Sequence, residues 1–171
     1  MISMYQASVP PSVSALTALE GVMAKGAAFA EARKIDPSIL LNTRLRPDMF
    51  TLARQVQVAS DMVKNGCARL AGVAAPSFPD TETTFPELQE RIVKTVAFLH
   101  GLAPEAIDGS ETRQIVMKVG GREMRFMGQF YLLQFVLPNL YFHTTTAYLI
   151  LRQSGVELSK RDFLSPLDAL G

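Results

Sequence analysis

The sequence predicts an all-α fold, a four-helix bundle with one small β-hairpin between its third and fourth helices. Three observations point there. Apolar residues recur at spacings of three and four in four long segments, the period of one helix face. Glycine or proline stands where each period stops. One short stretch around Gly120 and Gly121 alternates instead and carries β-branched residues.

The chain has 171 residues, of which 48% are hydrophobic and 19% charged. That is the length of one domain, residues 1–171, with enough apolar surface to build a single core. The first helix spans residues 10–34, where Val13, Leu16, Leu19, Met23, Ala27 and Ala30 form the stripe. No charged side chain precedes Glu20, but there is no basic n-region, and Pro10 and Pro11 break the only apolar run. The segment therefore reads as the surface start of a helix and not as an export signal. A connector follows, in which Asp36 caps a short turn beginning at Pro37.

Pro47 opens the second helix, residues 47–71, with Met49, Leu52, Val56, Ala59, Val63, Cys67 and Leu70 on its inner face and Gly72 as its stop. Residues 74–84 form a loop rich in proline, ended by a capping box of Thr84 and Glu87. The third helix starts there, buries Leu88, Ile92, Thr95, Leu99 and Leu102, and is bounded by Gly101 and Pro104. The hairpin pairs residues 113–118 with 122–127. The fourth helix runs over residues 129–154, kinked at Pro138 and stopped by Gly155. The tail lies over the bundle through Phe163 and Leu164 and then frays.

Seventeen basic and sixteen acidic side chains leave a net charge of +1. No net field gathers phosphates or anionic lipid, so neither a nucleic-acid role nor a membrane role is expected. Residues 126–151 lack charge and are long enough to span a bilayer, yet they include Gln129, Gln134, Asn139, His143, Thr144, Thr145 and Thr146. A helix buried among other helices supplies partners for those groups, whereas lipid does not. The single cysteine, Cys67, cannot close an intrachain disulfide, which fits the cytoplasm.

The fourth helix carries the chemistry. Leu132, Val136, Asn139, His143, Thr146 and Ile150 share one face, which sets an amide and an imidazole inside an apolar stripe. Burying either without a partner costs about 1–3 kcal/mol, so both need partners across the bundle. The second helix offers them, because Asp48 and Gln55 are seven apart on one face and Arg54 and Asp61 share the face beside it. Asp48, Arg54, Gln55, Asn139 and His143 are thus the candidate lining of a polar pocket for a small-molecule ligand. The alternative is a core histidine satisfied in a structural network. Cys67 lies on the apolar stripe and reads as an inert core thiol. His100, late in the third helix, reads as solvated or end-capping. Gly120 and Gly121 lack the Lys-Ser or Lys-Thr and the helix start of a phosphate loop. Phe130, Tyr131, Phe135, Tyr141, Phe142 and Tyr148 surround the fourth helix, which predicts core packing plus a homodimer interface.

The segments LRPDMFTLARQVQVASDMVKNGCARLAG, DTETTFPELQERIVKTVAFL and LPNLYFHTTTAYLILRQSGVELSKRDFL resemble a bacterial family of uncharacterised function within the DinB/YfiT-like four-helix superfamily. The resemblance covers nearly the whole chain and implies a DinB-like four-helix bundle. It also implies that relatives bind metal, include thiol-dependent transferases and often dimerise. Their pattern is one histidine from the second helix and a pair four apart on the last. His143 resembles the first of that pair, but Ala147 stands four residues later and the second helix has no histidine. A catalytic zinc or nickel site takes about three protein ligands, so no cofactor is expected, and a metal would have to join His143 with Asp48 or Asp61. Three functional classes follow: a small-ligand binding protein, a metal-dependent transferase or hydrolase, and a structural interaction module.

Overall fold

The computed structural model describes residues 2–164. The fraying expected at the extreme C-terminus concerns residues 165–171, outside the described residues. Four long helices build the bundle: α1 (Met4–Arg33), α3 (Leu52–Ala71), α4 (Phe85–His100) and α7 (Leu137–Gln153). The shorter α2 (Pro37–Asn42), α5 (Pro104–Ile107), α6 (Gly128–Tyr131) and α8 (Lys160–Leu164) trim its ends and one side. Around the bundle, α1 neighbours α4 and α7, and α3 neighbours the same two, so α1 and α3 lie across the diagonal. All four helices contribute to one core, including Leu16, Met23, Val56, Val63, Leu88, Ile92, Leu140 and Ile150. The all-α bundle and its hairpin are as the sequence predicts.

Two helix starts and the interior of the fourth helix differ from the sequence expectation, each for a local reason. The first helix starts at Met4 and not at Pro10, because Ser3 and Gln6 form a reciprocal capping box upstream of the prolines. The Tyr5 amide, an orphan donor of the first turn, is taken up by Asp108 Oδ1 at 2.8 Å. The buried hydroxyls of Ser8 and Ser12 donate to the Met4 and Ser8 carbonyls at 2.7 and 2.6 Å, so both stay satisfied beside Pro10 and Pro11. This α1 is long and apolar enough to cross a bilayer by length and composition, and here Leu16, Leu19, Val22 and Met23 are buried in the core.

The second long helix starts at Leu52, not at Pro47. Pro47 sits instead in a turn closed by the Met49 amide on the Arg46 carbonyl at 3.0 Å, a position its fixed φ suits. Thr51 then caps the helix through the Arg54 amide, and Leu52 N–H reaches back to the Thr43 carbonyl at 2.9 Å. The fourth helix is broken in character. A π-helical turn, Leu132–Val136, joins α6 to α7, and the Leu137 amide bonds to the Leu132 carbonyl. Pro138 can offer no N–H to the carbonyl four residues back, and the wider turn placed just before it absorbs that defect.

The hairpin pairs β1 (Gln114–Val119) with β2 (Arg122–Met127) in antiparallel register, Ile115 opposite Phe126 and Met117 opposite Met124. Gly120 and Gly121 both have positive φ, as a two-residue type I′ turn needs. Ile115 is buried, and Phe126 packs against Tyr131 and Phe135, so one face of the hairpin is docked on the bundle. The C-terminal α8 lies along α1, held by Lys25 on Asp162 at 2.6 Å and by the edge of Phe163 on Tyr148.

The α3–α7 interface is the most extensive in the bundle, and it closes at Gly66. A Cβ at Gly66 would lie 2.8 Å from both methyl groups of Val136, on the π-helical turn. Gly66→Ala gains about 1 kcal/mol of helix propensity and loses about 1–3 kcal/mol to overpacking. Urea denaturation should therefore show net destabilisation or no gain for Gly66→Ala alone. Adding Val136→Ala should recover part of the loss, with a coupling above about 0.5 kcal/mol. Strict additivity of the two substitutions would contradict this packing.

Candidate functional site

Gln55 on α3 and His143 on α7 meet across the most extensive interface, with 1% and 7% of their surfaces exposed. The imidazole Nδ1 lies 2.7 Å from Gln55 Oε1. The Gln55 amide nitrogen donates to the Phe50 carbonyl at 3.3 Å, so it is the amide oxygen that faces the ring. An amide oxygen only accepts, hence Nδ1 carries the proton and Nε2 carries the lone pair. Nε2 makes no hydrogen bond among the described residues. Burial, with the nearby charge of Arg54 adding to it, lowers the His143 pKa from its ordinary 6.5. The ring is thus a neutral acceptor held in one tautomer.

Two aromatic side chains flank it. Phe50, just before α3, lies nearly parallel to the imidazole, with centroids 6.4 Å apart and 19° between planes. Phe142 stands edge-on at 5.2 Å and 89°. Arg54 lies over the Phe50 ring, 5.9 Å from its centroid, and donates to Gln57 Oε1 at 3.2 Å. Of the residues predicted for the site, the structure brings together Arg54, Gln55 and His143. Asp48 stands exposed in the turn at Pro47, before α3 and off the helical face on which it was expected, and makes no side-chain hydrogen bond or ion pair among the described residues. Asn139 does not reach across the bundle either. It donates to the Phe135 carbonyl of its own helix at 2.6 Å, beside the π-helical turn.

A second polar cluster, not anticipated, adjoins this one. Arg91 on α4 is 2% exposed and meets Asp61 at 2.9 Å, Asp80 at 3.0 Å and Glu82 at 2.7 Å. Buried Lys64 pairs with Asp61 at 2.8 Å and lies over the Phe78 ring, 4.2 Å from its centroid. Arg54 pairs with Asp80, and Gln57 donates to Glu82 at 2.9 Å. Three cations and three carboxylates thereby strap the α3–α4 loop, residues 72–84, onto both helices. Partial burial pushes the Asp80 carboxyl up, but the hydrogen bond and charge of Arg54, together with Arg91, outweigh it and hold Asp80 below the ordinary carboxylate value. One signal for this cluster was present in the sequence, since Arg91 stands three residues after Leu88 and four before Thr95, within the apolar stripe.

The donor set does not fit a three-ligand transition-metal centre. The α3 residue that meets His143 is Gln55, its oxygen already engaged by Nδ1–H, and Ala147 offers no donor. Asp61 is neutralised by Lys64 and Arg91. Among the described residues no three histidine, cysteine or acidic side chains converge on one point. Cys67 is fully buried, and burial pushes its thiol up to about 12, which keeps it protonated and inert. His100 is exposed in the last turn of α4.

The pH dependence of stability follows from His143. Its folded pKa lies below the unfolded value, so the unfolded chain binds the proton first. The histidine contribution is complete above 6.5 and is lost as pH falls through the unfolded value toward the folded one. Removing the imidazole should flatten that part of the curve. His143→Leu leaves Gln55 Oε1 buried without a donor, which should cost about 1–3 kcal/mol at neutral pH, whereas His143→Gln should retain part of the bond. Denaturant titrations between pH 5 and 8 check both, on the order of the pH span over which an ordinary histidine titrates. Equal stability of the two variants at neutral pH would contradict the hydrogen-bonded assignment.

Comparison with known proteins agrees with the fold. The family described as a domain of unknown function (DUF1993) matches residues 4–164. No curated protein matches. A solved structure of a DinB family member protein from Shewanella denitrificans is 39% identical, covers 98% of this chain and 94% of its own, and superposes with a TM-score of 0.91. The chain therefore belongs to the DUF1993 family of DinB-like four-helix proteins.

Proposed function

We propose that the protein binds a small organic ligand at the edge of the α3–α7 interface, with His143 Nε2 as the recognising atom. One observation carries this reading. Every other polar group of the Gln55–His143 pair is satisfied inside the protein, while the Nε2 lone pair has no partner among the described residues, in a ring flanked by two half-exposed aromatic side chains. A neutral acceptor beside apolar surface suits a ligand with a flat apolar body and a hydrogen-bond donor. A purely structural histidine would have no need of exposed flanking rings.

The binding unit is proposed to be a homodimer. Phe130, Leu133, Tyr141 and Leu149 are exposed large apolar side chains of the fourth helix, surface that a second chain would cover. Tyr131 is core, and Tyr148 is half-buried beside Phe163, so these two need no partner chain. We place the protein in the cytoplasm, where a lone buried thiol such as Cys67 is at home.

A thermal-shift screen of small fragments, with hits followed by NMR of the His143 ring, tests the ligand reading. Binders should raise the melting temperature, by about 2.7 kcal/mol of stabilisation at a hundredfold excess over Kd, and should move the His143 resonances. A screen in which no compound moves those resonances would sink it. Light scattering at micromolar concentration should give the mass of two chains, reduced to one by Tyr141→Glu together with Leu133→Glu. A wild-type monomer would remove the dimer.

A further inference from the structure

Resting on the ligand reading above, the chemistry around His143 narrows the ligand class. The flanking aromatic residues are part-exposed, Phe50 at 49% and Phe142 at 55%, and they stand in different orientations to the imidazole. Arg54 brings a guanidinium over Phe50. Its side chain is 40% exposed, and its charge bears on His143. The three cations of the adjoining cluster are not equally supplied with carboxylates. Arg91 meets three, Lys64 meets Asp61, and Arg54 has Asp80 alone among the described residues. Asp80 is shared with Arg91 and is the most exposed carboxylate of the three, at 38% against 26% for Asp61 and 12% for Glu82. If Asp80 releases Arg54, Arg91 still keeps two carboxylates.

We propose that this site takes an aromatic carboxylate bearing a hydroxyl, with the ring against Phe50 and Phe142, the hydroxyl donating to His143 Nε2, and the carboxylate on Arg54 in place of Asp80. Each part answers a group on the protein. A neutral Nε2 accepts, and a carboxylate has no hydrogen to give, so the hydroxyl is the matching donor. A guanidinium binds a carboxylate through two parallel donors and tolerates an aromatic neighbour, which an ammonium does less well. Exposed aromatic side chains beside the imidazole favour a flat apolar body over an aliphatic one of equal size. Asp80 then acts as a resident competitor: it holds Arg54 in place when the site is empty and gives it up to an anion. The α3–α4 loop stays strapped through Glu82 and Arg91 throughout.

The test uses 4-hydroxybenzoate and its uncharged isostere 4-hydroxybenzamide, with the full chain, reading both affinity and the His143 ring resonances by NMR. The expected result is that both probes move the His143 resonances and that the acid binds at least tenfold tighter. Arg54→Gln should abolish that preference, and Asp80→Asn should strengthen binding of the acid several-fold by removing the competitor. Equal affinity for acid and amide, or a preference that survives Arg54→Gln, would overturn the carboxylate assignment while the ligand site at His143 stands. Unchanged or weaker binding of the acid to Asp80→Asn would overturn the exchange. Failure of both probes to move the His143 ring would overturn this ligand class, whereas the broader ligand reading falls only if no compound of the fragment screen moves that ring.

Discussion

A single hydrogen bond, from His143 Nδ1 to Gln55 Oε1, sets the arrangement of the site. It crosses the most extensive helix–helix interface, where an unpaired imidazole or amide would cost about 1–3 kcal/mol. The bond also fixes directions. Gln55 spends its amide nitrogen on the Phe50 carbonyl, so the segment that enters α3, α3 itself and α7 are joined through one side chain. Phe50 is held beside the imidazole as a consequence, and Nε2 is left as an acceptor. Farther along α3, Gly66 meets Val136 of the π-helical turn that precedes α7, with no room for a methyl group. Close backbone approach there and a polar pair at His143 are two solutions to the same demand for complete packing.

The ion cluster around Arg91 answers a different demand. The α3–α4 loop carries Pro76 and Pro79 and little that can bury itself, so it needs an external hold. Arg91 supplies one from the α4 core face, and its charge is tolerable there only because Asp61, Asp80 and Glu82 surround it. Such a cluster is weak evidence for stability in itself, since desolvation offsets much of the attraction. Its value is in geometry. It brings Asp80 to Arg54, and Arg54 to the edge of the histidine site, which couples the loop to the place where a ligand would bind.

Much of this architecture was legible in the chain, for physical reasons that differ by element. The stripes of α3 and α4, the Thr84–Glu87 capping box and the Gly120–Gly121 turn are local patterns, and local patterns are readable. The pairing of Gln55 with His143 was foreshadowed by the imidazole in the apolar stripe of the fourth helix, which needed a polar partner that the second helix could offer. Asp48 was misplaced because proline suits the first turn of a helix and the second position of a tight turn equally well; Thr51, a better cap, decided between them. Asn139 was expected across the bundle, but a carbonyl beside the π-helical turn was nearer. The Arg91 cluster joins residues up to 37 positions apart, from Arg54 on α3 to Arg91 on α4, and no periodicity reports a contact of that kind. The start of α1 was obscured by Pro10 and Pro11, whose usual meaning is a boundary.

The central claim is that His143 is a neutral imidazole protonated on Nδ1, with Nε2 left to meet a ligand. Nitrogen NMR of the His143 ring across a pH titration tests it most directly, because the two neutral tautomers and the cation give distinct nitrogen shifts. The account predicts the Nδ1-protonated neutral form at neutral pH and a pKa below the ordinary 6.5. A ring protonated on Nε2, or one that titrates at or above 6.5, would contradict it.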